Sequence, residues 1–173
     1  SFVDDVTLCV GRNNTGKTSL AKLFKLFLVK KDTTLRLEDF SAECYAEFAD
    51  AHRFYAAGEK KQARGRVPHV AMTLHIAYDA DCGQYGPLAP FIVDLDPDCT
   101  EVVIRFVYAL KDGALDAFLG DLVGSVDAPL LERLARRLPA HFGLSVTAVD
   151  PTEPFPTWVI GRRLGVGTVL GKR

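Results

Sequence analysis

The residues best equipped for chemistry stand together in one run, Gly11 to Ser19, which reads GRNNTGKTS. It fits the pattern GxxxxGK[ST], in which glycines let the backbone curl until successive N–H groups point inward at phosphate oxygens. Gly11 and Gly16 are those glycines, and Arg12, Asn13, Asn14 and Thr15 form the loop between them. Lys17 is expected to meet the β and γ phosphates as a point charge, and is the one catalytic residue expected here. The Thr18 hydroxyl is placed to ligate Mg²⁺, and the Ser19 hydroxyl to reach the α phosphate. A glycine turn that merely joins a strand to a helix is the competing reading. ATP with Mg²⁺ is the expected ligand. A Ras-type GTPase would also carry DxxG after a strand and NKxD, but the one DxxG, Asp121 to Gly124, falls in a helical pattern, and NKxD is absent.

Hydrolysis asks for acidic residues on a strand to hold Mg²⁺ and polarise water. FIVDLD offers Asp94 and Asp96 after three apolar residues, but proline flanks the run on both sides, which favours an antiparallel strand entering the DPDC turn. His52, His69, His75 and His141 show no ligand spacing, and Cys9, Cys44, Cys82 and Cys99 form no CxxC and are read as reduced thiols. GVGTVLG has its last glycine one residue late for a dinucleotide fingerprint. The basic cluster Lys60, Lys61, Arg64 and Arg66 reads as a solvated charged loop, since no aromatic residue interleaves with it in sequence.

The elements that position the loop follow from periodicity. Val6 to Val10 (VTLCV) is an apolar run suited to a strand buried on both faces of a parallel sheet. From Thr18, Leu20, Leu23, Phe24, Phe27 and Leu28 recur at helical spacing. Strand, glycine loop, helix is the setting in which the motif has physical meaning. Ser41 to Ala57 has helical character with Ser41 as N-cap, and Glu59 to Arg66 reads as a charged loop. Period two then appears in Val70, Met72, Leu74, Ile76 and Tyr78, and again in Val102, Ile104, Phe106, Tyr108 and Leu110, which predicts antiparallel partners. A short strand is expected near Phe91 to Asp94, and a turn at Lys111 to Gly113. Leu115, Phe118, Leu119 and Leu122 mark one helix. Leu130, Leu131, Leu134, Leu138 and Phe142 mark another, with Asp127 and Pro129 at its start and Gly143 just past its end. Leu144 to Val149 reads as a strand, and Asp150 to Pro156 as a Pro-rich connection.

With 173 residues, 48% of them hydrophobic, and a formal net charge of −1, the chain has enough apolar residues for one cored domain and no overall basic footprint for nucleic acid. No apolar run approaches the roughly 20 residues of a membrane span, and no signal-peptide layout opens the chain, so the cytoplasm is expected. The start at Ser1 without methionine and the basic, Gly-rich finish GRRLGVGTVLGKR lead us to expect a piece of a longer protein.

The stretch DDVTLCVGRNNTGKTSLAKLF resembles the opening of ATPase heads of the ABC, RecF and SMC kind. Its double asparagine is most similar to the OLD (overcoming lysogenization defect) family, whose members join such a head to a Toprim nuclease. PLAPFIVDLDPDCTEVVIRFVYAL is similar to the strand-rich insertion of those heads. An ABC-type signature, a Walker B strand ending in Asp-Glu, a switch histidine and a Toprim acidic cluster are not recognisable. The resemblance implies an incomplete α/β P-loop NTPase domain with an antiparallel β subdomain followed by helices. Residues 1–30 would hold the loop strand and helix, 31–66 a loop and helix, 67–112 the β subdomain, 113–149 two helices and a strand, and 150–173 a linker and tail. It also implies dimerisation through the heads, DNA as the parent protein's partner, and a role in phage defence. The alternatives are a RecF- or SMC-like repair ATPase without a nuclease, a module that uses ATP structurally, and a small-molecule kinase.

Overall fold

The computed structural model describes residues 17–29, 34–78, 86–93, 99–123 and 129–150. The order is α1 (Lys17–Phe24) running into a π-turn (Lys25–Val29), a 3-10 turn (Leu37–Asp39), α2 (Ala42–Ala56), α3 (Lys60–Arg66) and β1 (Val70–Ala77). A 3-10 segment (Gly86–Phe91), β2 (Glu101–Leu110), α4 (Leu115–Leu119) with a 3-10 extension (Gly120–Leu122), α5 (Leu130–His141) and β3 (Phe142–Val149) complete it. The architecture is mixed α and β around a three-stranded sheet of order β1-β2-β3, both pairings antiparallel. Val6 to Val10 lies outside the described residues, so the described sheet contains no parallel pair.

The period-two pattern sets the sheet. Val70, Met72, Leu74 and Ile76 stand opposite Tyr108, Phe106, Ile104 and Val102, so one face is apolar on both strands. A slip of one residue would turn every one of these side chains to the other face, which is why such a pattern specifies register. β3 adds Phe142 opposite Leu110 and Leu144 opposite Tyr108. Helices cover this face through an aromatic cluster. Phe142 packs edge-on against Phe118 of α4 at 5.2 Å and against Phe40 at 6.2 Å, and tilts against Tyr108 at 5.8 Å. Phe48 of α2 meets Phe40 at 5.5 Å and Phe118 at 6.4 Å. Each such ring contributes roughly 1.5–3 kcal/mol by leaving water, and edge-to-face geometry suits the ring quadrupoles. One contiguous core runs from Leu26 to Phe142.

Four sequence expectations are corrected. Glu59 to Arg66 is not a loop: Lys60–Arg66 form α3, packed along α2. Lys, Gln, Ala and Arg are good helix formers, and the fully buried Ala63 gives the charged turn an anchoring point. Gly58 turns the chain between the two helices at φ 83°, where a Cβ would be strained. Second, the strand near Phe91 to Asp94 is absent where the structure describes it. Phe91 closes a 3-10 segment containing Pro90, Ile92 and Val93 have no regular structure, and Asp94 lies outside the described residues. Proline lacks the N–H that a ladder requires. Third, Gly143 does not end α5; His141 passes directly into β3, and Gly143 is a strand residue opposite Ala109. A Cβ there would meet Lys111 Cε at 3.2 Å. Fourth, Leu28 leaves the apolar face of the first helix, being 49% exposed, while Leu26 and Phe27 are buried. The π-turn widens the winding and rotates the stripe by part of a turn.

Other expectations hold. Ser41 takes the extended N-cap conformation before α2, although its hydroxyl meets Cys44 Sγ at 3.3 Å and does not cap a backbone N–H. Lys111 to Gly113 make the turn after β2, with Gly113 at φ 74° and Ala114 N–H bonded to Lys111 O at 3.2 Å.

Candidate functional site

Gly11, Arg12, Asn13, Asn14, Thr15 and Gly16 lie outside the described residues. Lys17, Thr18 and Ser19 are helical and begin the described part of α1. The first turn of that part carries no acidic residue. Of the expected site, the structure thus describes the helical backbone of Lys17, Thr18 and Ser19.

The far end of α1 is fixed to the core. Leu23 and Phe24 pack against it, Leu26 and Phe27 are buried, and the Phe27 ring stacks on Phe106 of β2 with centroids 6.2 Å apart and planes 8° from parallel. Midway, Lys22 Nζ donates to Asp39 Oδ1, an ion pair across seventeen residues of sequence. Asp39 Oδ2 also accepts the Arg36 N–H at 2.9 Å. Partial burial pushes this carboxyl upward, but the Lys22 and Arg36 hydrogen bonds, with the charges of both residues, outweigh it and hold Asp39 below its usual range. No sequence signal marks this pair, because neither helical nor strand spacing relates its members.

The remaining sequence signals resolve into structural roles where they are described. Arg64 donates to Leu110 O at 2.8 Å, to Lys111 O at 3.1 Å and to Asp112 at 3.1 Å, tying α3 to the turn after β2. Lys60 and the Tyr55 hydroxyl both reach Asp116 Oδ1 at 2.8 Å, linking α2, α3 and α4. Those two hydrogen bonds lower the Asp116 pKa, and the same bond raises that of Tyr55, making the phenol a weaker acid. Aromatic residues do interleave with this basic cluster in space: Arg53 and Arg66 lie 5.5 and 6.0 Å from the Phe54 ring, and Lys60 5.7 Å from Tyr55. Asp121, from the DxxG, pairs with Arg137 of α5 at 3.0 Å.

His75 Nδ1 lies 2.7 Å from Glu101 on neighbouring strands, and His141 sits beside Phe118 at 6.0 Å. Asp94, Asp96, Cys9, Cys82 and the glycines Gly165, Gly167 and Gly171 lie outside the described residues. Among the described residues no three His, Cys, Asp or Glu side chains form a metal-binding group, and no helix is long and apolar enough to cross a membrane. No family model, curated relative or solved structure matches the chain.

Proposed function

We propose that this chain binds ATP and Mg²⁺ as part of an ATPase head of the ABC and SMC kind, the motif GRNNTGKTS being the binding loop. The observation that carries the reading is the motif itself, GxxxxGK[ST], supported by the helical state of the residues that follow its second glycine. The motif requires its Lys-Thr-Ser to lie on a helix, and Lys17, Thr18 and Ser19 are helical at the edge of the described residues, with no acidic residue beside them. In this reading the backbone from Gly11 to Gly16, including Arg12, Asn13, Asn14 and Thr15, surrounds the phosphates. Lys17 neutralises charge between the β and γ groups. Thr18 holds Mg²⁺, and Ser19 contacts the α phosphate. The bound metal supplies charge neutralisation and orientation of the triphosphate.

The OLD resemblance extends this to a parent protein in which two heads close on ATP and control a DNA-cutting activity in phage defence, in the cytoplasm. On that reading the loop is half of a composite site, and the second head completes it over the γ phosphate. ATP is preferred over GTP because the sequence has no NKxD and its DxxG aspartate is engaged by Arg137. Competition against a fluorescent adenine nucleotide in the presence of Mg²⁺ tests the assignment. ATP is expected to displace it at lower concentration than GTP. Equal displacement by both would remove the adenine preference, and displacement by neither would remove the phosphate loop.

A further inference from the structure

We propose that Arg105, with Thr73 and Thr147 beside it on the two flanking strands, forms a binding site for a small tetrahedral oxyanion such as a phosphate group, on the sheet face turned away from the aromatic core. The inference does not depend on the phosphate-loop reading.

Strand alternation puts the arginine there. Val102, Ile104, Phe106, Tyr108 and Leu110 of β2 are all buried on the core face, so Arg105, between Ile104 and Phe106, belongs to the opposite face. Register sets Thr73 of β1 and Thr147 of β3 directly across from it. Side chains opposite one another on one face have Cβ atoms about 4.5–5.5 Å apart. An oxyanion over Arg105 therefore meets donors from three strands at once: the planar guanidinium fork from the centre and a hydroxyl from either side. The hydroxyls lie out of the plane of the fork, which suits the four corners of a phosphate better than a flat carboxylate.

No described residue claims this cation. Arg53, Arg64, Arg136 and Arg137 pair with carboxylates, and Arg133 donates to Leu122 O. Nε of Arg133 and of Arg137 has no partner either, but their terminal nitrogens are bonded. Arg105 forms no ion pair with a described residue, and its Nε is shut off from solvent without a hydrogen-bond partner. A donor withdrawn from water in that state is costly, and more so when it carries charge. The carboxylate further along the same face of β2, Glu101, is engaged by His75 at 2.7 Å, and the Ser145 hydroxyl donates to Val107 O at 3.3 Å. Val103, two residues from Arg105 on this face, is fully buried, whereas Thr147 is exposed and Arg105 itself half-buried. Arg105 thus stands where the face passes from covered to open. An anion can enter there, and the apolar side strengthens its attraction to the guanidinium.

The test adds inorganic phosphate, acetate or chloride at matched ionic strength to the full chain, following the Arg105 Nε–H resonance by NMR and the thermal midpoint. All proteins carry Lys17→Ala, so that the phosphate loop does not contribute. Phosphate is expected to shift the Nε–H signal saturably and to raise the midpoint by about 2–4 °C, acetate to do so less, and chloride not at all. Arg105→Met should abolish the response. Arg105→Lys, which keeps the charge without the fork, and the double Thr73→Val/Thr147→Val should each weaken binding about 3- to 10-fold. Without phosphate, Arg105→Met should hold or raise the midpoint, because an unpaired buried donor is removed. A lower midpoint in Arg105→Met, with the phosphate response retained, would make Arg105 a structural residue and overturn the site. So would an Nε–H signal that stays still, or one that moves equally with phosphate and chloride. An equal response to acetate would overturn the tetrahedral assignment. Should Arg105→Met fold poorly, the Nε–H signal and the exposed Thr147→Val decide the matter.

Discussion

His141 shows how a single residue records its surroundings. It ends α5 beside the Phe118 ring, and partial burial first, then the charges of Arg137 and Lys111, disfavour a proton on the imidazole; Asp121 opposes them and loses. Its pKa is lowered below 6.5. In the unfolded chain the ring takes its proton near that value, whereas in the folded chain it does so only at lower pH. The contribution of His141 to stability is therefore whole above 6.5, falls as pH drops through the lowered folded value, and is constant below it. An NMR titration of the ring should place its midpoint below 6.5, and His141→Gln should flatten part of the decline in thermal midpoint on acidification. A ring titrating above 6.5 would mean that Asp121, not Arg137 and Lys111, dominates its field. The same weighing of burial against partners explains Asp39, where cation and amide outweigh desolvation.

At the scale of elements, α3 is the instructive case. Its charged sequence looks like solvent-facing loop, yet its basic side chains hold it in place: Arg64 on Leu110 O, Lys111 O and Asp112, and Lys60 on Asp116. Arg64→Ala should cost about 1–2 kcal/mol, since two carbonyl bonds to a charged donor are lost while the exposed Asp112 pair contributes little. Hydrogen exchange of the α3 amides should rise, with β1 and β2 unaffected; unchanged exchange in α3 would show that its packing on α2 suffices. β1 and β2 were legible in the sequence as antiparallel partners because burial on one face forces period two, whereas the register that sets Val70, Met72, Leu74 and Ile76 opposite Tyr108, Phe106, Ile104 and Val102 came from the structure. α3 was not legible because its one buried residue, Ala63, gives no periodic signal. Leu28 was misplaced because nothing in KLFLV announces a π-turn. The loop motif was readable by type and spacing, but the Lys22–Asp39 link was not, since it depends on how α1 docks.

The described elements share one core, so α1 is mechanically continuous with the sheet through Phe27 and Phe106 and with α2 through Asp39 and Phe40. Binding of nucleotide would stabilise the whole fold, since a ligand that binds only the native state adds about 2.7 kcal/mol at a hundred times its dissociation constant. The most direct measurement is calorimetric titration of ATP with Mg²⁺ into wild type and Lys17→Ala. The account predicts saturable binding by the wild type and at least about tenfold weaker binding by Lys17→Ala, the loss of one charge-assisted contact. Equal affinity in the two proteins, or no binding by the wild type, would contradict it.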